Sequence, residues 1–334
     1  MSFDAFQNRP SLTPDSSLAQ ALLTGNWRVV ITGASGWLGQ ATISYLGSVF
    51  GKTLSKRVYC FGSSAKVLTV DGYELEQKPI RDLLDFSLDA NTLLCHFAFL
   101  TKDLACGMSA QEYINQNHEI RETVLSAIKQ GDLSGVCVPS SGAVYDALMK
   151  KNRDLDANLY GQIKLDDEKI FSEAAVSGGW TFVCPRIFNL SGPFINKLST
   201  YALSSFINDC LLGRPLEIKS TIPVLRSYLF IGDLLNIIFG VLLKAPSELH
   251  VGFDTAGDRT VELSDLAELV INRCESNVRI LRPIIDRTRE NRYVGSPELQ
   301  TVLQRRFGLS SITLPLQVDM TAAYMRIKLF GINL

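Results

Sequence analysis

WRVVITGASGWLGQATISYL, Trp27 to Leu46, is the stretch that decides the fold. A β-branched run, Val29-Val30-Ile31, leads into three glycines, Gly33, Gly36 and Gly39. An apolar pattern of helical period follows through Ala41, Ile43, Tyr45 and Leu46. Strand, tight turn and helix in this order make a dinucleotide site. Glycines let backbone approach a pyrophosphate, and the amides and dipole of the helix start favour the anion. The spacing is G-x-x-G-x-x-G, and a glycine triplet alone can serve only steric ends. The flanking strand and helix give it meaning.

Outward from this turn the chain alternates strand and helix. Arg57 to Gly62 reads as a second strand and Tyr73 to Ile80 as a third. Thr92 to Phe99 is a near-continuous apolar run, as in a parallel strand covered on both faces. Gln111 to Gln130 carries an apolar stripe and reads as a helix, Gly135 to Val138 as a strand, Tyr160 to Ser177 as a helix and Trp180 to Cys184 as a strand. This rhythm predicts an α/β fold, a Rossmann-type doubly wound parallel sheet. After Gly192-Pro193 the pattern changes: helices are expected at 201–212, 234–244, 263–275, 297–307 and 318–328, with short strands near 214–218 and 227–231. The expected organisation is an N-terminal extension lying across the surface (1–26), a dinucleotide-binding domain (27–192, with 225–257 returning to it) and a smaller C-terminal substrate-binding lobe (193–224 and 258–334).

Composition narrows the class. A net charge of −1 over 334 residues gives a nucleic-acid partner no electrostatic support. Seven scattered cysteines, an odd number without C-x-x-C, read as reduced core thiols of a cytoplasmic protein. Three distant histidines, His96, His118 and His250, argue against a metal site. The longest apolar block, Leu234 to Leu243, is far short of a membrane span, so no membrane partner is expected.

Tyr160-Gly-Gln-Ile-Lys164 supplies chemistry. Tyr and Lys four apart on a helix share one face. A phenol, ordinarily near pKa 10, becomes a usable acid/base for carbinol–carbonyl interconversion when an ammonium stabilises its phenolate. The pair alone is common on helix surfaces. Its context is Pro139-Ser140-Ser141-Gly142-Ala143-Val144-Tyr145 at a strand's C-terminal end, where doubly wound sheets place ligands.

With these segments in order, the chain resembles the extended short-chain dehydrogenase/reductase family, in its branch of NAD(P)-dependent sugar-nucleotide epimerases, dehydratases and reductases. The resemblance runs from about Arg28 to Met325. It rests on Thr32 to Gly39, on His96-Phe97-Ala98, on Asn117, on Ser141 with Tyr145, and on Tyr160 with Lys164. It rests further on Arg186, Asn189, Gly192 and Pro193, and on Arg226 to Asp233. The resemblance implies Tyr160 as acid/base, Lys164 on the nicotinamide ribose and lowering the tyrosine pKa, and Ser141 polarising the substrate oxygen. It implies Gly33, Ser35, Gly36, Trp37, Leu38, Gly39, Phe97, Ala98, Ile187 and Phe188 around the cofactor. Asn189 and Arg226 would hold the substrate's diphosphate or adjacent sugar. Arg292 is a second diphosphate candidate, with a solvated surface charge as the alternative. A homodimer through helices 111–130 and 160–177 is also implied.

Departures from the family sharpen the reading. Where dehydratases carry Thr-Asp-Glu, this chain has Ser141-Gly142-Ala143, which disfavours 4,6-dehydration. The second strand ends at Gly62 in place of the Asp that favours NAD, followed by Ser63, Ser64 and Lys66. Hydroxyls and a lysine there would accept a 2′-phosphate, so NADP is expected over NAD; a plain turn with a solvated lysine is the alternative. The family's aspartate near the adenine has no match beside Pro79-Ile80-Arg81. The expected activity is hydroxyl–ketone interconversion on a nucleotide-linked sugar, by a 4-ketoreductase or an epimerase. The alternatives are a reductase of a non-nucleotide carbonyl and a non-catalytic dinucleotide sensor or scaffold, which would ordinarily lose Tyr160 or Lys164.

Overall fold

The computed structural model describes residues 12–101, 107–149, 155–244 and 250–331. Helix α1 (Ser16–Thr24) precedes β1 (Arg28–Thr32), α2 (Trp37–Phe50) and the short α3 (Leu54–Arg57). Strands β2 (Val58–Gly62), β3 (Lys66–Val70), β4 (Tyr73–Pro79) and β5 (Thr92–His96) follow, then α4 (Ala110–Gln130). Next come β6 (Gly135–Cys137), β7 (Ser140–Ser141), α5 (Val144–Leu148), α6 (Leu155–Gly178), β8 (Thr181–Ile187) and β9 (Leu190–Ser191). The remainder holds α7 (Ala202–Leu211), β10 (Leu216–Glu217), β11 (Val224–Ser227), β12 (Leu229–Phe230), α8 (Ile231–Lys244) and β13 (His250–Asp254). It closes with β14 (Thr260–Glu262), α9 (Leu263–Arg273), β15 (Ile280–Leu281), β16 (Asn291–Tyr293), α10 (Glu298–Phe307) and α11 (Leu314–Phe330).

The main sheet runs β13-β8-β6-β5-β1-β2-β4-β3, with β7 also on β8. Every pair is parallel except β3 on β4. Strand order reverses between β1 and β5, which is where a doubly wound sheet opens its ligand crevice. Both faces are covered: β1 sends Val29 and Ile31 into one core with α2 and α8, and Val30 into the other with α4 and α6. The apolar run of β5 follows from this burial. A capping box, Ser109 with Glu112, starts α4.

The structure differs from the sequence expectation just after β2. Lys66 does not end a cofactor turn but opens β3, the first arm of a hairpin that closes at Asp71-Gly72. The hairpin was hidden because β3 exposes three of its five residues and carries little apolar signal. Residues 12–26 pack along the surface of the fold: Leu12, Leu18 and Leu22 are buried, the others are exposed or half-buried, and α1 packs on α2 and α8. Residues 1–11 lie outside the described part. In the C-terminal part β15 pairs with β10 and β16 with β11. These pairings build the small lobe around α7, α9 and α11. Cys60, Cys95, Cys137, Cys184, Cys210 and Cys274 are buried free thiols, and Cys106 is outside the described residues. No helix among the described residues is long and apolar enough to cross a membrane.

Candidate active site

A cavity of about 870 Å³ opens at the reversal point, between the sheet edge and the small lobe. Its floor is the glycine turn. Gly33 has φ +69°, and a Cβ there would lie 2.6 Å from the Ala98 amide nitrogen. A Cβ on Gly39 would lie 2.5 Å from the Ala34 Cα, so only glycine lets α2 start this close to β1. Gly36 caps α2 without a side-chain hydrogen bond, which leaves the first-turn amides to an incoming anion. Beside it the Ser140 hydroxyl is buried at the cavity wall with no partner. The open amide array, the glycine cradle and this unused hydroxyl fit a dinucleotide. The Trp37 side chain itself serves the lobe: Nε1 donates to the Pro193 carbonyl at 2.7 Å and the ring lies 5.9 Å from Tyr201.

His96 ends β5 against Thr32 Oγ1 at 2.7 Å. Burial and then the charge of Lys164 push its pKa down to about 3, so it stays neutral. Asn117 of α4 holds the chain that leaves β5, accepting from Leu100 N at 2.9 Å.

Ser141, Tyr160 and Lys164 all line the cavity. Ser141 Oγ accepts from Ala143 N at 3.2 Å. Tyr160 lies two residues after a kink at Asn158 in α6, and its ring meets Phe99 edge-on at 5.6 Å. Burial raises the Tyr160 pKa, while the Ser141 hydroxyl and the Lys197 charge pull it down. Lys164 Nζ donates to the Pro139 carbonyl at 3.0 Å and lies 3.8 Å from the Phe99 ring centroid. Burial lowers its pKa and Asp167 opposes the shift. Asp167 in turn pairs with buried Arg121 of α4 at 3.3 Å.

Of the other expected site residues, Gly33, Gly36, Trp37, Leu38, Gly39, Phe97, Ile187, Phe188, Asn189 and Arg226 reach the cavity. Asn189 uses its amide to tie the lobe, donating to the carbonyls of Ser227 at 3.2 Å and Tyr293 at 3.3 Å. Arg226 Nη1 donates to Asn291 Oδ1 at 2.9 Å, and its guanidinium stands 5.8 Å from the Tyr293 ring centroid. Ser35 and Ala98 border the glycine turn without lining the cavity; Ala98 N donates to Thr32 Oγ1 at 3.3 Å. Ser63, Ser64 and Lys66 are exposed and lie away from it. Arg292 also stays out: it is exposed and sits 3.9 Å from Glu290. Alternation along β16 sends the next residue, Tyr293, into the cavity.

Sequence reasoning missed Tyr293, Lys197 and Gln77. Lys197 lines the cavity four residues after Pro193. Gln77 fills the space at the end of β2: a Cβ on Gly62 would lie 2.6 Å from its Cδ. Its Nε2 donates to the Ser64 carbonyl at 2.8 Å.

Comparisons with known proteins agree on the fold. A UDP-N-acetylglucosamine 4-epimerase from Methanobrevibacter ruminantium, solved with UDP-N-acetylmuramic acid, is similar with TM-score 0.67 and 18% identity, over 91% of this chain and 99% of that one. An epimerase from Methanothermobacter thermautotrophicus is similar with TM-score 0.69 and 14% identity, over 94% and 97%. A UDP-glucuronic acid 4-epimerase from Bacillus cereus, solved with NAD, gives TM-score 0.64 and 16% identity, over 90% and 96%. No curated protein matches the sequence. The profile of the NAD dependent epimerase/dehydratase family matches residues 29–252, most of the chain and all of the glycine turn, Ser141, Tyr160 and Lys164. The chain therefore belongs to the NAD dependent epimerase/dehydratase family.

Proposed function

We propose that this protein interconverts a hydroxyl and a ketone on a nucleotide-linked sugar, as a 4-epimerase that retains its dinucleotide. The observation that carries the reading is the shared wall of Ser141, Tyr160 and Lys164 in a cavity whose other side presents Arg226 and Asn189. A bound nicotinamide would supply the hydride acceptor and donor. Tyr160 would take the proton from the sugar hydroxyl and return it to the ketone. Ser141 would donate its proton to the same oxygen. Lys164, three hydrogen-bond donors on a buried stem, would exchange the Pro139 carbonyl for the nicotinamide ribose. Arg226 would meet the diphosphate, and Lys197, whose charge reaches Tyr160, lines the same cavity.

The similar proteins named above are epimerases, which supports isomerisation over net reduction. The end of β2 has no carboxylate to repel a 2′-phosphate, so NADP is admitted beside NAD; Ser63, Ser64 and Lys66 would meet that phosphate only from the exposed surface. A ketoreductase is the second reading, favoured by this feature alone.

The test is to purify the protein without added cofactor, denature it and identify the released nucleotides by mass spectrometry. The native protein is then incubated with UDP-glucose, UDP-galactose, UDP-N-acetylglucosamine and UDP-glucuronate and followed by NMR. Stoichiometric dinucleotide and epimer formation are expected, and Tyr160→Phe should keep the dinucleotide and lose epimer formation. An empty protein that oxidises NADPH with a keto-sugar would replace the epimerase by the ketoreductase. Full turnover in Tyr160→Phe would refute the assignment of the acid/base.

A further inference from the structure

Tyr293 brings a third hydroxyl to Ser141 and Tyr160. Strand β16 pairs with β11 so that Tyr293 stands opposite Arg226. Its ring is held between Phe188, 4.8 Å away between centroids, and the Arg226 guanidinium. Its carbonyl receives the Asn189 amide. Ring and backbone are thus fixed, and the hydroxyl ends 3.4 Å from Ser141 Oγ.

A serine hydroxyl has one proton and two lone pairs. Ala143 N occupies one lone pair of Ser141. To polarise a sugar oxygen, Ser141 must spend its proton on that oxygen. The second lone pair then has to be filled, or the proton can turn toward Tyr293 and be lost to the reaction. We propose that Tyr293 is a positioning residue whose hydroxyl donates to Ser141 and so directs the Ser141 proton at the reacting oxygen beside Tyr160. The 3.4 Å separation is loose for O–H···O, and contacts of this kind close when substrate fills the site. The relay runs Tyr293 to Ser141 to the reacting oxygen, and no bond other than hydrogen bonds changes in it. This inference rests on the roles given to Ser141 and Tyr160 above.

Tyr293→Phe keeps the ring between Phe188 and Arg226 and removes only the hydroxyl. The assay uses the UDP-sugar that wild-type protein epimerises, with Tyr160→Phe, Ser141→Ala and the Ser141→Ala/Tyr293→Phe double variant alongside. Thermal unfolding and NAD titration confirm that each variant is folded and binds. Tyr293→Phe is expected to lower kcat about tenfold, the worth of one ordinary hydrogen bond, with KM within about twofold. The pH at which kcat rises should stay near the wild-type value, because the Ser141 proton is spent on the reacting oxygen and not on the Tyr160 phenolate. In the Ser141→Ala background the same change should cost almost nothing, since Tyr293 acts through Ser141. A wild-type kcat in Tyr293→Phe, a loss that falls on KM instead of kcat, or losses that simply multiply in the double variant, would overturn the positioning role. If Tyr160→Phe turns over normally, or wild-type protein epimerises none of the four sugars, the functional reading falls and this inference with it. A dead Tyr160→Phe beside an unaffected Tyr293→Phe removes only the inference.

Discussion

Asp233 makes a sharp test of how the returning helix is seated. It lies in the first turn of α8 and is buried, with Oδ2 accepting from Ile312 N at 2.8 Å. Burial raises its pKa from 3.8 to about 7, and the Ile312 amide only partly opposes this. A carboxyl raised on folding binds its proton more tightly in the native state. Between pH 4 and pH 7 the unfolded chain has lost this proton and the native chain keeps it. Stability from this group therefore falls as pH rises, by 1.36 kcal/mol per unit. The gap from 3.8 to about 7 corresponds to about 4 kcal/mol, a ceiling that local relaxation lowers. Asp233→Asn retains an oxygen for Ile312 N and cannot ionise. Urea unfolding of both proteins at half-unit steps from pH 4 to pH 8 gives a difference curve in which other groups cancel. The variant should match wild type near pH 4 and exceed it by up to a few kcal/mol at pH 7 and above. A difference curve flat across this range would refute the burial argument.

Two further outcomes follow from packing. Leu22→Ala in α1 empties a fully buried position against α2 and α8 and should cost about 2–5 kcal/mol in urea unfolding; a cost below about 0.5 kcal/mol would refute the packing of α1 on these helices. Gly39→Ala drives a Cβ to 2.5 Å from the backbone of Ala34 and Gly33, which cannot swing aside. It should destabilise by about 1–3 kcal/mol and weaken NAD binding in calorimetric titration, whereas wild-type affinity would disprove the steric role.

What the sequence made legible was carried by local spacing. The glycine turn, the Tyr160–Lys164 pair and the apolar β5 each fit within one element, where period and turn chemistry act directly. The strand-by-strand α/β rhythm was readable for the same reason. Elements with weak apolar signal were not. β3 shows mostly exposed residues, and β15 and β16 are two or three residues long and exist only through partners far along the chain. The site divides in the same way. Arg292 was singled out over Tyr293 because charge is visible in a sequence and strand register is not. Pairing of β16 with β11 is what sends the phenol inward and the guanidinium toward Glu290. Lys197 was passed over because nothing near it repeats or caps.

The adenosine end shows why a missing residue is harder to read than a present one. Gly62 in place of an aspartate looks like a lost contact, and Ser63, Ser64 and Lys66 look like its replacement. In the fold the empty Cβ position of Gly62 is taken by the Gln77 amide, which arrives from β4 and holds the Ser64 carbonyl. Gln77 is fully buried and its Oε1 has no partner. A neutral amide at this point neither repels a 2′-phosphate nor supplies charge to hold one. A carboxylate at position 62 would also have no room while Gln77 stays. The end of β2 is therefore shaped jointly by Gly62 and Gln77, two residues on neighbouring strands fifteen positions apart in the chain, and only the parallel register of β2 with β4 makes that coupling visible.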